Sequence, residues 1–150
     1  MKIAIGSDHG GFILKNAILE HIQSKGYEIK DFGCYSTESI DYPDVAHEVS
    51  GAVIKGGYDR GILICGTGIG ISIAANKVPG IRAALCGDCF SAKASREHNN
   101  ANILAMGERV IGIGLAKMIT DIWLATEFEG GRHIGRVNKI GDIECSYTKE

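Results

Sequence analysis

Two prolines and one tryptophan stand in 150 residues, aromatic residues make up 7%, and neither charge dominates. So little proline excludes a collagen-like or polyproline chain. A net charge of −2 provides no broad positive field of the kind that holds nucleic acid. No apolar run approaches the roughly 20 residues that cross a bilayer, so no membrane contact is expected. The opening M-K-I-A-I-G already reads as a strand, without charged n-region, apolar core or cleavage site, which makes a cytoplasmic location the default expectation.

Cysteine is better represented, at positions 34, 65, 86, 89 and 145. An odd count with no leader argues for free thiols in a reducing compartment. Cys86-Gly-Asp-Cys89 is a lone C-x-x-C. It can be read as a redox pair or as half a zinc site, but a structural zinc needs four ligands and no second such pair exists. Two thiols on a strand-to-helix turn is the plainer reading.

With 45% hydrophobic and 23% charged residues, the chain is expected to form one globular domain over 1–150. Strand and helix patterns alternate without repeat or linker. Strands are expected at Lys2–Ile5, Tyr27–Phe32, Arg60–Cys65, Ile81–Leu85 and Ile103–Met106. Helices are expected at Phe12–Lys25, Tyr42–Lys55, Ile71–Lys77, Cys89–Glu97 and Leu115–Thr126, with a last one over 134–147, bent at Gly141. Such alternation points to an α/β fold with a parallel sheet covered on both faces. Ligands in these folds bind beyond the carboxyl ends of strands, where strand order reverses. Two polar turns stand out: Gly6-Ser7-Asp8-His9-Gly10-Gly11 after strand one and Cys65–Gly70 after strand three. A strand order beginning 2-1-3 would put both on one crevice.

The second turn reads C-G-T-G-I-G. It lacks the Lys-Ser/Thr of a P-loop, and Ile71 stands where a dinucleotide fingerprint needs its third glycine. It is either a plain tight turn or a cradle of backbone N–H groups for an anion. Cys65 is either a buried core thiol or a nucleophile or base beside those amides. Asp8 can cap the next helix, bind a sugar hydroxyl, or both. His98-Asn99-Asn100 is a helix C-cap or part of a site. Arg132 and Arg136 are spaced i, i+4 after Gly130-Gly131, which suits a phosphate clamp as well as a solvated basic face.

Taken together, G-S-D-H-G-G, D-Y-P at 41–43, C-G-T-G-I-G at 65–70, A-A-N-K at 74–77, S-R-E-H-N-N at 95–100 and G-R-H-I-G-R at 131–136 resemble one family. It is the sugar-phosphate isomerase family that includes ribose-5-phosphate isomerase B and the galactose- and allose-6-phosphate isomerases. The resemblance spans almost the whole chain. It implies a three-layer α/β/α sandwich around a five-stranded parallel sheet, Rossmann-like. It also implies a homodimer, sometimes paired into a tetramer, with the segment 132–147 at the dimer interface. The implied reaction interconverts ribose 5-phosphate and ribulose 5-phosphate through an enediolate, with no metal and no organic cofactor.

Residue roles follow from the same resemblance. Cys65 would move the proton between C1 and C2, and Thr67 would help with the hydroxyl protons. The amides of Gly66, Gly68, Ile69 and Gly70 would hold the enediolate. His98 would open the furanose ring, with Asp8 near the ring oxygens. Tyr42 and Asn99 would contact the sugar, and His9, Arg132 and Arg136 the phosphate, some from the partner subunit. A branch without the cysteine uses a glutamate shortly after the glycines; Ile71 stands there, which leaves Cys65 as the implied base. In two-component galactose-6-phosphate isomerases the catalytic groups are divided between different chains. Here they stand on one, which favours a self-sufficient homodimer. The competing readings are a six-carbon sugar phosphate as substrate, a sugar-phosphate or nucleotide-binding module without turnover, and a thiol redox protein using Cys86 and Cys89.

Overall fold

A computed structural model describes residues 1–148. Strands β1 (Lys2–Ser7), β2 (Glu28–Asp31), β3 (Arg60–Cys65), β4 (Ala83–Leu85) and β5 (Ile103–Gly107) form one parallel sheet in the order β2-β1-β3-β5-β4. The order therefore begins 2-1-3, as the placement of the two polar turns requires. The helices are α1 (Phe12–Ser24), α2 (Tyr42–Ile54), α3 (Ile69–Ala75), α4 (Cys89–Glu97), α5 (Ile113–Ala125) and α6 (Arg132–Tyr147), with a 3-10 turn at His9–Gly11.

The period-2 geometry of the strands builds two cores. Ile3, Ile5, Ile62, Ile64, Leu104 and Met106 face α1, α4 and α5, and meet Leu14, Ile18, Ala92, Ile119 and Trp123. Ala4, Leu63, Cys65, Ile103 and Ala105 face α2 and α3, and meet Val45, Val49, Ile71 and Ala75. All six residues of β3 are buried, as expected of a central strand covered on both faces.

Most boundaries follow the sequence pattern, and the departures have local causes. Helix α3 starts at Ile69 instead of Ile71 because Gly68, at φ +78°, ends the turn and lets the chain wind at once. It stops at Ala75 because the Asn76 side chain leaves the helix to pair with the backbone N–H and C=O of Ala83. Strand β4 is shorter than its apolar pattern. The Arg82 carbonyl still accepts from the Asn102 and Ile103 N–H groups, but its own N–H donates to the Asn102 side-chain Oδ1 and not to a backbone carbonyl of β5. Helix α5 begins two residues early, at Ile113, and α6 runs unbroken through Gly141.

Helix α6 differs from the others. His133 is its single buried residue, and Ile134, Ile140, Ile143 and Tyr147 are exposed. It is tied to the body near its far end by the Gly80 N–H, which donates to Glu144 Oε2 at 2.9 Å. A groove of about 800 Å³ separates it from β4, lined in part by Ala83, Asn99, Ile140 and Ile143.

Gly107 sets how closely β5 can approach the turn after β3. A Cβ there would lie 2.5 Å from the carbonyl of Thr67 and 2.8 Å from its Cα. Gly107→Ala is therefore expected to lower stability by about 1–3 kcal/mol, the range for forcing extra atoms into a packed region. The change would be read as a lower urea midpoint at unchanged m-value. An unchanged midpoint would mean that the Thr67 turn moves aside without cost.

Candidate active site

At the carboxyl ends of β1, β3 and β5 three loops converge. Asp8, 7% exposed, accepts the Gly10 N–H at 2.9 Å and so caps the 3-10 turn. The His9 Nδ1 accepts the Ile40 N–H at 3.2 Å. That bond leaves the proton of the neutral ring on Nε2, as a donor. Gly10 packs against Gly66, where a Cβ on Gly10 would come within 3.2 Å of the Gly66 nitrogen.

Cys65 ends β3 and is 5% exposed. Its Sγ accepts the Gly68 N–H at 3.0 Å, a donor placed where a sulfur anion would use it. Thr67 Oγ1 accepts the Ile69 N–H at 3.2 Å. Two of the four amides expected to hold an anion are thus engaged within the turn. The Tyr42 ring, on the first residue of α2, lies over Gly70, 2.8 Å from where a Cβ would stand.

Arg109 joins this end of the sheet without having been singled out in the sequence. Its N–H donates to the Gly66 carbonyl at 2.9 Å, and its guanidinium lies about 3.4 Å from the position of a Gly66 Cβ. A signal was available: Gly107 ends β5 and Glu108-Arg109 follow at the strand's carboxyl end, the position where such folds bind ligands. The neighbouring Glu108 accepts the Leu14 N–H at 2.8 Å and so ties this loop to the start of α1.

His98, Asn99, Arg132 and Arg136 gather elsewhere. His98 caps the carboxyl end of α4 and stacks on His133, with ring centroids 4.5 Å apart and planes 17° from parallel. The Asn99 and Asn100 carbonyls accept from Arg82, and Asn100 Oδ1 accepts from Arg96. The Asn102 carbonyl accepts the Gly61 N–H at 2.9 Å, which places this loop at the amino end of β3. About 13 Å of extended strand separates Gly61 from Cys65. Within one chain, then, Asp8, His9, Tyr42, Cys65, Thr67 and Arg109 lie at one end of the sheet, and His98 and Asn99 at the other. Arg132 and Arg136, exposed on the first turns of α6, extend from the His98 end.

His133 is 4% exposed and its Nε2 stands 3.4 Å from Glu129 Oε2. Burial lowers its pKa, and His98, Arg132 and Arg136 lower it further, against the opposing pull of Glu129. Cys86 is buried, and that burial pushes its thiol up. All five cysteines are free. Among the described residues Cys86 and Cys89 join no group of three potential metal ligands, and no helix is long and apolar enough to cross a membrane.

Comparison with known proteins is consistent across sequence and structure. A family model described as Ribose/Galactose Isomerase matches residues 3–140. Ribose-5-phosphate isomerase B of Escherichia coli is 56% identical over 95% of this chain and 96% of its own. A D-erythrulose-4-phosphate isomerase of Pectobacterium atrosepticum is 50% identical over 96% of this chain and 95% of its own. The structure of ribose-5-phosphate isomerase B from Clostridium thermocellum superposes with a TM-score of 0.98 at 61% identity, covering 99% of this chain and 100% of that one.

The lowered pKa of His133 has a sign that can be tested. As pH falls below the ordinary value of about 6.5, the unfolded chain takes up a proton here that the folded chain refuses, so stability drops. His133→Gln removes that term. Its urea stability should fall less between pH 7.5 and 5.5 than that of the unsubstituted protein. Equal falls would show that His133 titrates alike in both states.

Proposed function

The chain belongs to the ribose/galactose isomerase family of aldose–ketose isomerases, and from that premise we propose that it interconverts ribose 5-phosphate and ribulose 5-phosphate in a homodimer. Each site takes Cys65 from one chain and His98 from the other. The division of the matching residues between the two ends of one sheet carries this reading. A two-fold dimer brings one chain's carboxyl end against its partner's amino end twice, and completes two sites. The exposed apolar residues of α6, together with Leu85 on the edge strand and Phe90, supply the surface such an interface covers. A second, different contact would be needed to pair such dimers into a tetramer.

The chemistry then follows from the groups present. His98 exchanges a proton between the anomeric hydroxyl and the ring oxygen, which opens the furanose. The Cys65 thiolate removes the proton from C2 of the aldehyde form. The electron pair moves into the C1–C2 bond and the carbonyl oxygen becomes negative. Backbone N–H groups of the 66–70 turn stabilise that oxygen; one such donor is typically worth on the order of a hundredfold in rate. The Thr67 hydroxyl passes the proton from O2 to O1, and the cysteine returns its proton to C1. Tyr42, Asn99 and Asp8 hold the sugar. The His9 Nε2–H, Arg109, Arg132 and Arg136 hold the phosphate, whose binding energy keeps the open chain in register.

The distance from these phosphate ligands to Cys65 sets sugar length. A four-carbon phosphate is the second reading, supported by the 50% identity to the Pectobacterium enzyme. Turnover of ribose 5-phosphate against erythrulose 4-phosphate and allose 6-phosphate, compared as kcat/KM, decides among them.

The shared site has a sharper test. Cys65→Ala and His98→Asn should each lose about two to four powers of ten in rate. Unfolding the two variants together and refolding them should restore about a quarter of the original activity, because half the dimers are mixed and each holds one intact site. A mixture as inactive as its components would place the whole site within one chain and sink the shared arrangement.

A further inference from the structure

We propose that His98, Glu129 and His133 form a site for a divalent transition metal such as zinc or cobalt(II), and that filling it withdraws His98 from ring opening. The first half rests on geometry alone; the second rests on the function proposed above.

Among the described residues these three are the one group whose potential ligand atoms all lie within 4.8 Å of one another. Two imidazoles and a carboxylate are a donor set that zinc and cobalt accept, leaving a fourth position open. Ligands on a tetrahedral zinc stand about 3.4 Å apart, given metal bonds of roughly 2.1 Å. The His133 Nε2 and Glu129 Oε2 atoms are already 3.4 Å apart.

An independent observation points the same way. His133 Nε2 is buried and has no hydrogen-bond partner. An unpaired polar atom is unfavourable in a protein interior, and those that occur call for an explanation such as an absent ion or water. Here the atom faces a carboxylate and a second imidazole.

The backbone holds the three residues in register. Gly130 and Gly131, at φ +68° and +55°, make the turn between Glu129 and His133. The His133 N–H donates to the Gly130 carbonyl, and the Glu129 N–H to that of Glu97, one residue before His98. One element needs to move. Imidazole lone pairs lie in the ring plane, and rings stacked at 17° send theirs out nearly parallel. A shared metal therefore requires the half-buried His98 ring to turn out of its stack, while exposed Glu129 follows. Ligated through one nitrogen, the turned His98 keeps only an N–H on the other and has no lone pair left to accept a proton from the sugar.

Cobalt(II) added to chelator-treated protein is the probe. The expected result is visible d–d absorption saturating at one equivalent per chain, without the near-ultraviolet band that a thiolate ligand from an accessible cysteine would add. Glu129→Gln, at an exposed position that leaves the fold intact, and His133→Gln should each weaken this binding by at least about tenfold, the low end of what losing even an outer-shell partner costs a metal site. Turnover of ribose 5-phosphate should fall in step with saturation and return on adding chelator. Absent bands, or bands unchanged in both variants, overturn the site while leaving normal turnover to support the proposed function. Saturated bands with undiminished turnover overturn the withdrawal of His98. Cobalt bands in a protein that, before cobalt is added, never isomerises the sugar uphold the site and remove the function.

Discussion

Strand β3 is six residues of buried, fully extended chain, and its length separates the two groups of residues to which the proposed chemistry is assigned. Cys65 ends it on one side of the sheet. The loop after α4 meets its other end through the bond from Gly61 to Asn102. No side-chain motion closes about 13 Å of strand, so a site that uses both Cys65 and His98 requires a second copy of the chain. In the proposed dimer this constraint also gives α6 its purpose. A helix of 16 residues that buries one side chain is poorly supported by its own subunit and well placed to lie against another.

The loops at each end are held by buried charges satisfied to an unusual degree. Lys15 is fully buried, yet its Nζ donates to both Asp31 oxygens at 2.9 and 2.7 Å and to the Cys34 carbonyl. That arrangement fastens α1 to the end of β2, next to the loop whose Ile40 N–H orients His9. At the other end Arg60 donates to the carbonyls of Trp123 and Leu124, and Arg96 to those of Thr126 and Ala101. The two guanidinium groups stand 5.4 and 5.8 Å from the Trp123 ring. Burial, with Arg60 close by, brings Arg96 down to about 10, still well above neutrality. These donors close the carboxyl end of α5 and fix the segment that carries Glu129 to the start of α6. Neither cluster touches the proposed reacting atoms, but each sets the path of a loop that does.

Much of this was legible in the residues. The run Arg60–Cys65 and the helix Cys89–Glu97 lie where their patterns put them, and the two glycine-rich turns selected the strand order. The early start of α3 was not legible, because hydrophobic periodicity begins at Ile71 while the helix is initiated by the conformation of Gly68. Arg109 was overlooked because only Gly107 stands close before it, where the other two turns each carry three glycines. The division of the site has a subtler cause. Residues after a strand lie at the carboxyl end of a parallel sheet and residues after a helix at the amino end, so the position of His98 after α4 already assigns it away from Cys65. Motif resemblance joins the two residues by role and carries no information on which end each occupies.

The proposed division of the site makes catalysis a consequence of assembly. On that proposal a lone chain has the thiol and its backbone donor at one end of the sheet and the imidazole assigned to ring opening at the other. Gly68 occupies the sulfur, and the stack with His133 covers one face of the His98 ring. In the proposed dimer, association does two things at once. It buries apolar faces that are costly to leave in water, and it juxtaposes groups that cannot meet otherwise. The free energy of the interface and the geometry of the reaction are therefore coupled: a substitution that loosens α6 should act on the chemistry through the distance between Cys65 and the partner's His98, even with every residue near the thiol in place.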